Sequence, residues 1–165
     1  MSELKPGDKA PEFTLPASNG TEISLMDYRG THYVVLYFYP KDDTPGCTQE
    51  AIAFRDLQME FQLAGAVILG VSTDDVASHG KFAAQYNLTF PLLSDVEGKV
   101  TEKYGVMAEP RPGRPGPRAQ RVTFVIDKDG VILRIYRNIK LECHADEVLA
   151  YLHGLKLAED GGAMA

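Results

Sequence analysis

The chain predicts an α/β fold in which a mixed central sheet is flanked by helices and preceded by an N-terminal β-hairpin extension. Three observations carry that reading. The run Tyr33-Val34-Val35-Leu36-Tyr37-Phe38-Tyr39 is nearly unbroken apolar and rich in aromatic and β-branched residues, which suits a strand covered on both faces. Apolar runs of this kind alternate with segments whose apolar residues recur at helical spacing. Late in the chain, two such runs are joined by Asp127-Lys128-Asp129-Gly130, a hairpin signal.

Each element follows from its own pattern. Residues Phe13 to Leu15 and Ile23 to Leu25 flank Ser18-Asn19-Gly20 and read as the short N-terminal hairpin. After the central run, Ala51, Phe54, Leu57, Phe61 and Ala64 predict one helix that Gly65 stops. Ala66 to Val71 reads as a second buried strand, and Val76, Phe82, Ala83 and Tyr86 as one face of the next helix. Leu88 to Leu93 is extended or loop-like around Pro91, and Val100 to Tyr104 is a short helix closed by Gly105. Val122 to Ile126 and Val131 to Tyr136 are the two late strands. Ala145 to Leu157 is a final helix, with Asp146 and Glu147 suited to the positive end of its dipole and Val148, Leu152 and Leu155 facing inward. This order fits a thioredoxin-like fold, with one domain over residues 1–158 and a frayed tail over 159–165.

Composition narrows the function. A chain of 165 residues with net charge −6 lacks the basic footprint that nucleic acids and membrane surfaces favour. No stretch approaches a membrane span, and the polar start Met1-Ser2-Glu3-Leu4-Lys5-Pro6-Gly7-Asp8 has no apolar secretory core, so a cytoplasmic, reducing setting is expected. Two cysteines in such a setting are catalytic or spectators more often than a structural staple. Neither metal nor cofactor is expected. Cys143 and His144 are adjacent and cannot easily face one ion, and there is no phosphate- or dinucleotide-binding glycine pattern.

The most informative segment is Pro40-Lys41-Asp42-Asp43-Thr44-Pro45-Gly46-Cys47-Thr48-Gln49-Glu50. It sets Cys47 just after a Pro-Gly turn, where the central strand gives way to a helix. Unpaired N–H groups and the positive end of the dipole favour thiolate there, and the thiolate is the nucleophile. A buried structural thiol is the alternative, but a Thr-Pro-Gly turn at a helix start is suited to presenting a side chain.

These residues resemble the peroxiredoxins, and within them the Q-type or bacterioferritin comigratory protein group. The likeness extends from Gly7-Asp8-Lys9-Ala10-Pro11-Glu12-Phe13 through Asp95 and Phe124-Val125-Ile126-Asp127-Lys128-Asp129-Gly130 to the last helix. It implies a thiol-dependent peroxidase that reduces hydrogen peroxide and organic hydroperoxides through a Cys47 sulfenic acid. Thr44 would orient the peroxide, Pro40 would shield the thiolate, and Arg121 would favour the thiolate and donate to a peroxide oxygen. Glu50 matches a nearby supporting position. Its charge would oppose the thiolate unless a cation pairs with it. The group implies a peroxide and thioredoxin or another thiol reductant as partners, and a monomer.

The chain departs from that group at two places. The position of a resolving cysteine one helical turn after Cys47 is occupied by Ile52, and no cysteine stands between Val76 and Tyr86. Cys143 remains, in Leu141-Glu142-Cys143-His144-Ala145. Strand order is expected to bring it to the Cys47 end of the sheet, and another branch of two-cysteine peroxiredoxins is similar in keeping its resolving cysteine in this connection. The following helix start favours the Cys143 thiolate and Glu142 opposes it. A one-cysteine enzyme recycled by an external thiol, a general thiol–disulfide oxidoreductase and a redox-sensing or binding protein stay open; Glu50 stands where the oxidoreductase would want its second cysteine. The second departure is Glu109-Pro110-Arg111-Pro112-Gly113-Arg114-Pro115-Gly116-Pro117-Arg118, expected as a mobile exposed loop, solvated or attracting anionic substrates or a reductase.

Overall fold

The computed structural model describes residues 3–113 and 116–164. In it the first apolar run becomes β3 (Tyr33–Phe38), with every residue buried, at the centre of a five-stranded sheet. The sheet also contains β4 (Ala66–Ser72), β5 (Leu92–Ser94), β6 (Val122–Ile126) and β7 (Ile132–Tyr136), in the order β5-β4-β3-β6-β7. β3 runs parallel to β4 and antiparallel to β6, so the sheet is mixed, as the sequence predicts. Strands β1 (Thr14–Pro16) and β2 (Glu22–Ser24) form the separate hairpin, with Leu15 opposite Ile23.

Successive side chains of β3 point to opposite faces and divide the core in two. Val34, Leu36 and Phe38 pack with Phe13, Leu15 and Ile23 from the hairpin region and with Tyr104. Val35 and Tyr37 pack against α1 (Pro45–Asp56), α2 (Gln58–Leu63), α3 (Val76–Tyr86) and α5 (His144–Met164) through Phe54, Phe61, Phe82 and Val148. Tyr37 stacks on Phe54 at 4.8 Å between ring centroids. Gly70 of β4 makes room for that ring, because a Cβ there would lie 2.9 Å from Tyr37 Cζ. The short α4 (Lys99–Lys103) hangs on Asp95, whose carboxylate accepts from the Val100 and Thr101 amides and the Thr101 hydroxyl.

The strand directions determine where a site can form. The C-terminal ends of β3, β4 and β5 share one edge, and β6 begins at that edge, with Val122 opposite Phe38. β7 returns toward it, with Tyr136 opposite Thr123. Arg121 and the connection after Tyr136 therefore belong to the same end as the segment leading to Cys47.

Several expectations need correcting. The helix after Cys47 is two helices, broken at Leu57 (φ −104°, ψ 6°). A single non-helical residue barely disturbs a three-to-four spacing, so the apolar period runs through the break and conceals it. Val76 is exposed beside its Asp75 cap, and the buried face of α3 is His79 and Phe82. A 3₁₀ turn over Leu25–Tyr28 was not predicted. The last helix runs beyond the expected end at Leu157, to Met164; the Tyr33 hydroxyl donates to Glu159 and ties that turn to β3. Residues 109–113 and 116–118 form neither helix nor strand, and Arg114 and Pro115 lie outside the described residues, as do Met1, Ser2 and Ala165. The base of that loop is nonetheless held: Ala108 N donates to Arg118 O at 2.8 Å, and Thr73 Oγ1 to Pro117 O at 2.7 Å. Among the described residues, no helix is long and apolar enough to cross a membrane.

Candidate active site

Thr44, in extended conformation, is the residue from which α1 starts, with Pro45 as the first helical residue. Proline suits that position because no intrahelical acceptor awaits its nitrogen. The first helical hydrogen bond runs from Thr48 N to Thr44 O at 2.8 Å, which leaves the Gly46 and Cys47 amides as first-turn donors. Cys47 is 1% exposed, and its thiol is free. The Thr44 hydroxyl donates to the Lys41 carbonyl at 3.1 Å, which leaves its oxygen lone pairs as acceptors.

Arg121 reaches this helix start from the first residue before β6. Its Nη2 donates to Cys47 Sγ at 3.4 Å, and its Nη1 donates to Glu50 Oε1 at 2.6 Å. Gly46 allows the approach, since a Cβ there would sit 3.2 Å from Nη2. Burial acts to lower the arginine's pKa, but the charges of Glu50 and Cys47 outweigh it and hold the guanidinium more firmly protonated. Glu50 is the group that titrates. Burial of its carboxyl, incompletely offset by Arg121, pushes it up to about 7, and Oε2 has no partner. The sequence reading needed a cation beside Glu50, and Arg121 is that cation.

Pro40, Thr44 and Arg121 line one cavity of about 380 Å³. Cys47 does not line it, though Arg121, which does, touches its sulfur. Of the sequence-predicted residues, the structure thus gathers Pro40, Thr44, Cys47 and Arg121, with Glu50 beneath.

A network that the sequence reading missed holds the loop before α1. Asp42, buried, accepts from Tyr39 Oη at 2.6 Å and from Ser78 Oγ at 2.7 Å, and lies 2.7 Å from His79 Nδ1. The other ring nitrogen of His79 faces the Leu93 carbonyl at 3.0 Å. The ring thus bridges the Asp42 loop and β5. Asp42 N also donates to Asp74, and Tyr86 Oη donates to Asp43, which adopts a positive φ of 62°. Asp42, Asp74 and His79 bring ligand-type atoms within 4.8 Å of one another, but those atoms serve one another and the loop. The only signal in sequence was His79 three residues before Phe82 on a buried helical face.

Cys143 ends the connection from β7 and precedes α5. Leu141 packs against the Gly46 position, 3.3 Å from where a Cβ would stand, and the His144 ring lies edge-on to Phe54 of α1 at 5.8 Å. The Cys143 thiol donates to Glu147 Oε1 at 3.2 Å, and that hydrogen bond pushes its pKa up, with Glu142 adding to the effect. The favourable helix start expected from sequence is thus outweighed by the carboxylate one turn along. His144 is buried, its Nε2 2.8 Å from Thr123 Oγ1, and burial pushes its pKa down to about 4.

A reduced cysteine at a helix start, with the guanidinium of the residue before β6 on its sulfur, is an arrangement suited to thiolate chemistry on a thioredoxin-like sheet. Comparison with known proteins agrees. The AhpC/TSA family matches residues 6–135. The Coxiella burnetii protein named peroxiredoxin bcp is 47% identical over 150 residues, covering 90% of this chain and 99% of that one. Chloroplastic peroxiredoxin Q from Arabidopsis thaliana is 47% identical over 153 residues, 92% of this chain and 68% of that one. A solved structure of the Xanthomonas campestris bacterioferritin comigratory protein, described for its alkyl peroxide reduction activity, superposes with a TM-score of 0.80 at 39% identity, covering 87% and 92% of the two chains. The chain belongs to the AhpC/TSA family, as a peroxiredoxin of the Q or bacterioferritin comigratory protein type. It is an enzyme, a thiol-dependent peroxidase.

The two buried titrating groups oppose each other in their effect on stability. Native Glu50 keeps its proton up to about pH 7, whereas the unfolded chain releases it near 4.5, so this group makes stability fall as pH rises through that window. Native His144 refuses a proton down to about pH 4, whereas the unfolded chain takes one near 6.5, so this group makes stability rise with pH between those values. Each is worth about 3 kcal/mol when complete, and in the parent chain they largely cancel between pH 4.5 and 6.5. Urea unfolding across that range should show Glu50→Gln gaining stability with rising pH and His144→Asn losing it; parallel curves for the two variants would contradict the assignment.

Proposed function

We propose that Cys47 is the peroxidatic residue, and the contact that carries this reading is Arg121 Nη2 on Cys47 Sγ at the α1 start. The thiolate attacks the terminal peroxide oxygen. An S–O bond forms as the O–O bond breaks, two electrons pass from sulfur to the peroxide, and the alkoxide or hydroxide leaves and is protonated from solvent. Thr44, whose hydroxyl proton is committed to Lys41, accepts from the peroxide O–H and so orients it. The Gly46 and Cys47 amides and Arg121 stabilise the charge that grows on the leaving oxygen. Pro40 covers the site, and Glu50 positions Arg121 through their ion pair.

Cys143 is the proposed resolving thiol, supported by the packing of Leu141 and His144 against α1 next to it. Its thiolate would displace hydroxide from the Cys47 sulfenic acid and leave a disulfide for thioredoxin or another thiol to reduce. Closing it requires Cα atoms within about 7 Å and exposure of the 1%-exposed Cys47, hence unwinding of the first turn of α1. A specific observation favours the one-cysteine alternative: Glu147 keeps the Cys143 thiol protonated in this conformation. Unwinding that carries Cys143 away from Glu147 removes the obstacle. A single domain acting as a monomer in a reducing cytoplasmic setting is the context proposed; the −6 charge supports the absence of nucleic-acid or membrane partners.

Two outcomes test this. Cys47→Ser should abolish peroxidase activity with the fold retained, and Arg121→Ala should slow Cys47 oxidation by about 10² to 10³, the usual effect of losing one charge-assisted donor in a preorganised site. A parent-level second-order rate in either variant would contradict the role given to that residue. For Cys143, peptide mapping of the protein after one equivalent of peroxide, with thiols blocked, should find a Cys47–Cys143 disulfide; its absence, with normal turnover of Cys143→Ser on an external thiol, would assign the one-cysteine cycle.

A further inference from the structure

The role given to Thr44 requires its hydroxyl proton to stay on the Lys41 carbonyl, and that carbonyl belongs to the peptide joining Lys41 to Asp42. The other end of the same peptide is also held. Asp42 N donates to Asp74 Oδ2 at 2.8 Å. Asp74 is itself fixed from the sheet. Ser72, the fully buried last residue of β4, donates from Oγ to Asp74 Oδ2 at 2.7 Å and accepts there from Asp74 N at 3.1 Å. The Ser72 carbonyl in turn accepts from Asp95 N at 2.9 Å, just after β5. A continuous chain of contacts therefore runs from the sheet through Asp74 and one peptide to Thr44.

A peptide unit is planar, and when trans its C=O and N–H point in opposite directions. Among the described residues every peptide is trans, so a carboxylate that pins the Asp42 N–H also aims the Lys41 carbonyl. A charge-assisted bond to the N–H further polarises the unit and makes its oxygen a better acceptor for the Thr44 hydroxyl. The loop needs such pins. Asp43, between Asp42 and Thr44, adopts the left-handed φ of 62°, which costs free energy in a residue with a side chain. Asp43 is held separately, by Tyr86 Oη. Asp74 does not line the cavity shared by Pro40, Thr44 and Arg121 but the two beside it, so any effect it has on a peroxide there is indirect.

We propose that Asp74 is a positioning residue for peroxide reduction, acting through the Lys41–Asp42 peptide to keep the Thr44 hydroxyl an acceptor for the peroxide O–H. The proposal rests on the reading of Cys47 as the peroxidatic thiol and of Thr44 as the group that orients the peroxide. Without Asp74 the peptide is free to turn and the Thr44 proton loses its fixed acceptor. A hydroxyl that rotates presents its proton to the peroxide as readily as its lone pairs. The attacking geometry is then populated less of the time, while the contact of Arg121 with the sulfur is untouched. The loss therefore falls on peroxides and spares electrophiles that need the thiolate alone.

The test uses a Cys143→Ser background, so that one thiol reports, and measures second-order rates of Cys47 oxidation by hydrogen peroxide and of its alkylation by iodoacetamide. Into that background go Asp74→Ala, Asp74→Asn, Thr44→Val and the Asp74→Ala, Thr44→Val pair. Asp74→Ala should slow oxidation about tenfold, the upper end of what one ordinary hydrogen bond supplies, without slowing alkylation. Asp74→Asn, which keeps an oxygen acceptor for the Asp42 amide, should restore most of the loss. Once Thr44 is replaced, Asp74→Ala should cost little more. An undiminished oxidation rate in Asp74→Ala, an equal loss of oxidation and alkylation, or full additivity with Thr44→Val would overturn the proposal. If Asp74→Ala does not fold, Ser72→Ala, which frees the carboxylate to turn, is read by the same criteria. An undiminished rate in Thr44→Val would remove the role of Thr44 and the proposal with it, yet leave Cys47 as the peroxidatic thiol. If peroxide does not oxidise Cys47 at all, the peroxidatic reading itself fails.

Discussion

The rest of the site depends on one guanidinium. Arg121 is held between a buried carboxylate and a buried sulfur, 2.6 Å from Glu50 and 3.4 Å from Cys47. Even beside the arginine, burial holds the Glu50 proton up to about pH 7, and above that the carboxylate is compensated by the guanidinium, because an uncompensated buried charge costs several kcal/mol. Removing Glu50 would in turn leave Arg121 without the partner that fixes its fork. The sheet supplies the geometry: β6 must run antiparallel to β3 and begin level with Phe38 for Arg121 to meet the first turn of α1. Gly46 must lack a side chain for the guanidinium to lie against the helix.

Around that contact, polar groups hold segments that apolar packing alone would leave loose. Asp42 and His79 tie the loop carrying Pro40 and Thr44 to α3, while the His79 ring also bonds the Leu93 carbonyl of β5. Thr123 and His144 tie the start of α5 to β6, close to Cys143. Both networks are buried, so each partner lost would leave an orphaned polar group. The contrast with Cys143 is informative. Its thiol is partly exposed and, among the described residues, bonds to Glu147 and, more weakly, to the Lys140 carbonyl, so it is less firmly held than the loop before α1.

Much of this was legible in the residues, for reasons that differ by element. The β3 run, the Asp127–Gly130 hairpin and the placement of Cys47 at a helix start are local signals, written in neighbouring side chains. The break at Leu57 was not legible because it preserves the apolar period. The run of α5 past Glu159 was not, because its tie comes from Tyr33, far away in sequence. Val76 misled because a first-turn position can satisfy a helical spacing without reaching the sheet. At the site, the meeting of Arg121 with Cys47 was available only through family resemblance, since the two are brought together by strand pairing across the sheet. The Asp42–His79 pair carried almost no signal: an aspartate in a polar loop and a histidine in a helix look solvated until the fold buries both. Cys143 was placed at the correct end by topology, but the effect of Glu147 on its thiol required side-chain geometry.

The central claim is that Arg121 serves Cys47 as part of a unit with Glu50, and a double-mutant cycle tests it most directly. The quantity to measure is the second-order rate of Cys47 oxidation by hydrogen peroxide in the parent, in Arg121→Ala, in Glu50→Gln and in the double variant, with the fold of each checked independently. If Glu50 acts by positioning Arg121, the Glu50 substitution should slow the parent but have little further effect once Arg121 is gone, giving strongly non-additive losses. Full additivity of the two losses would mean that Glu50 and Arg121 act on the sulfur independently, and would contradict the account.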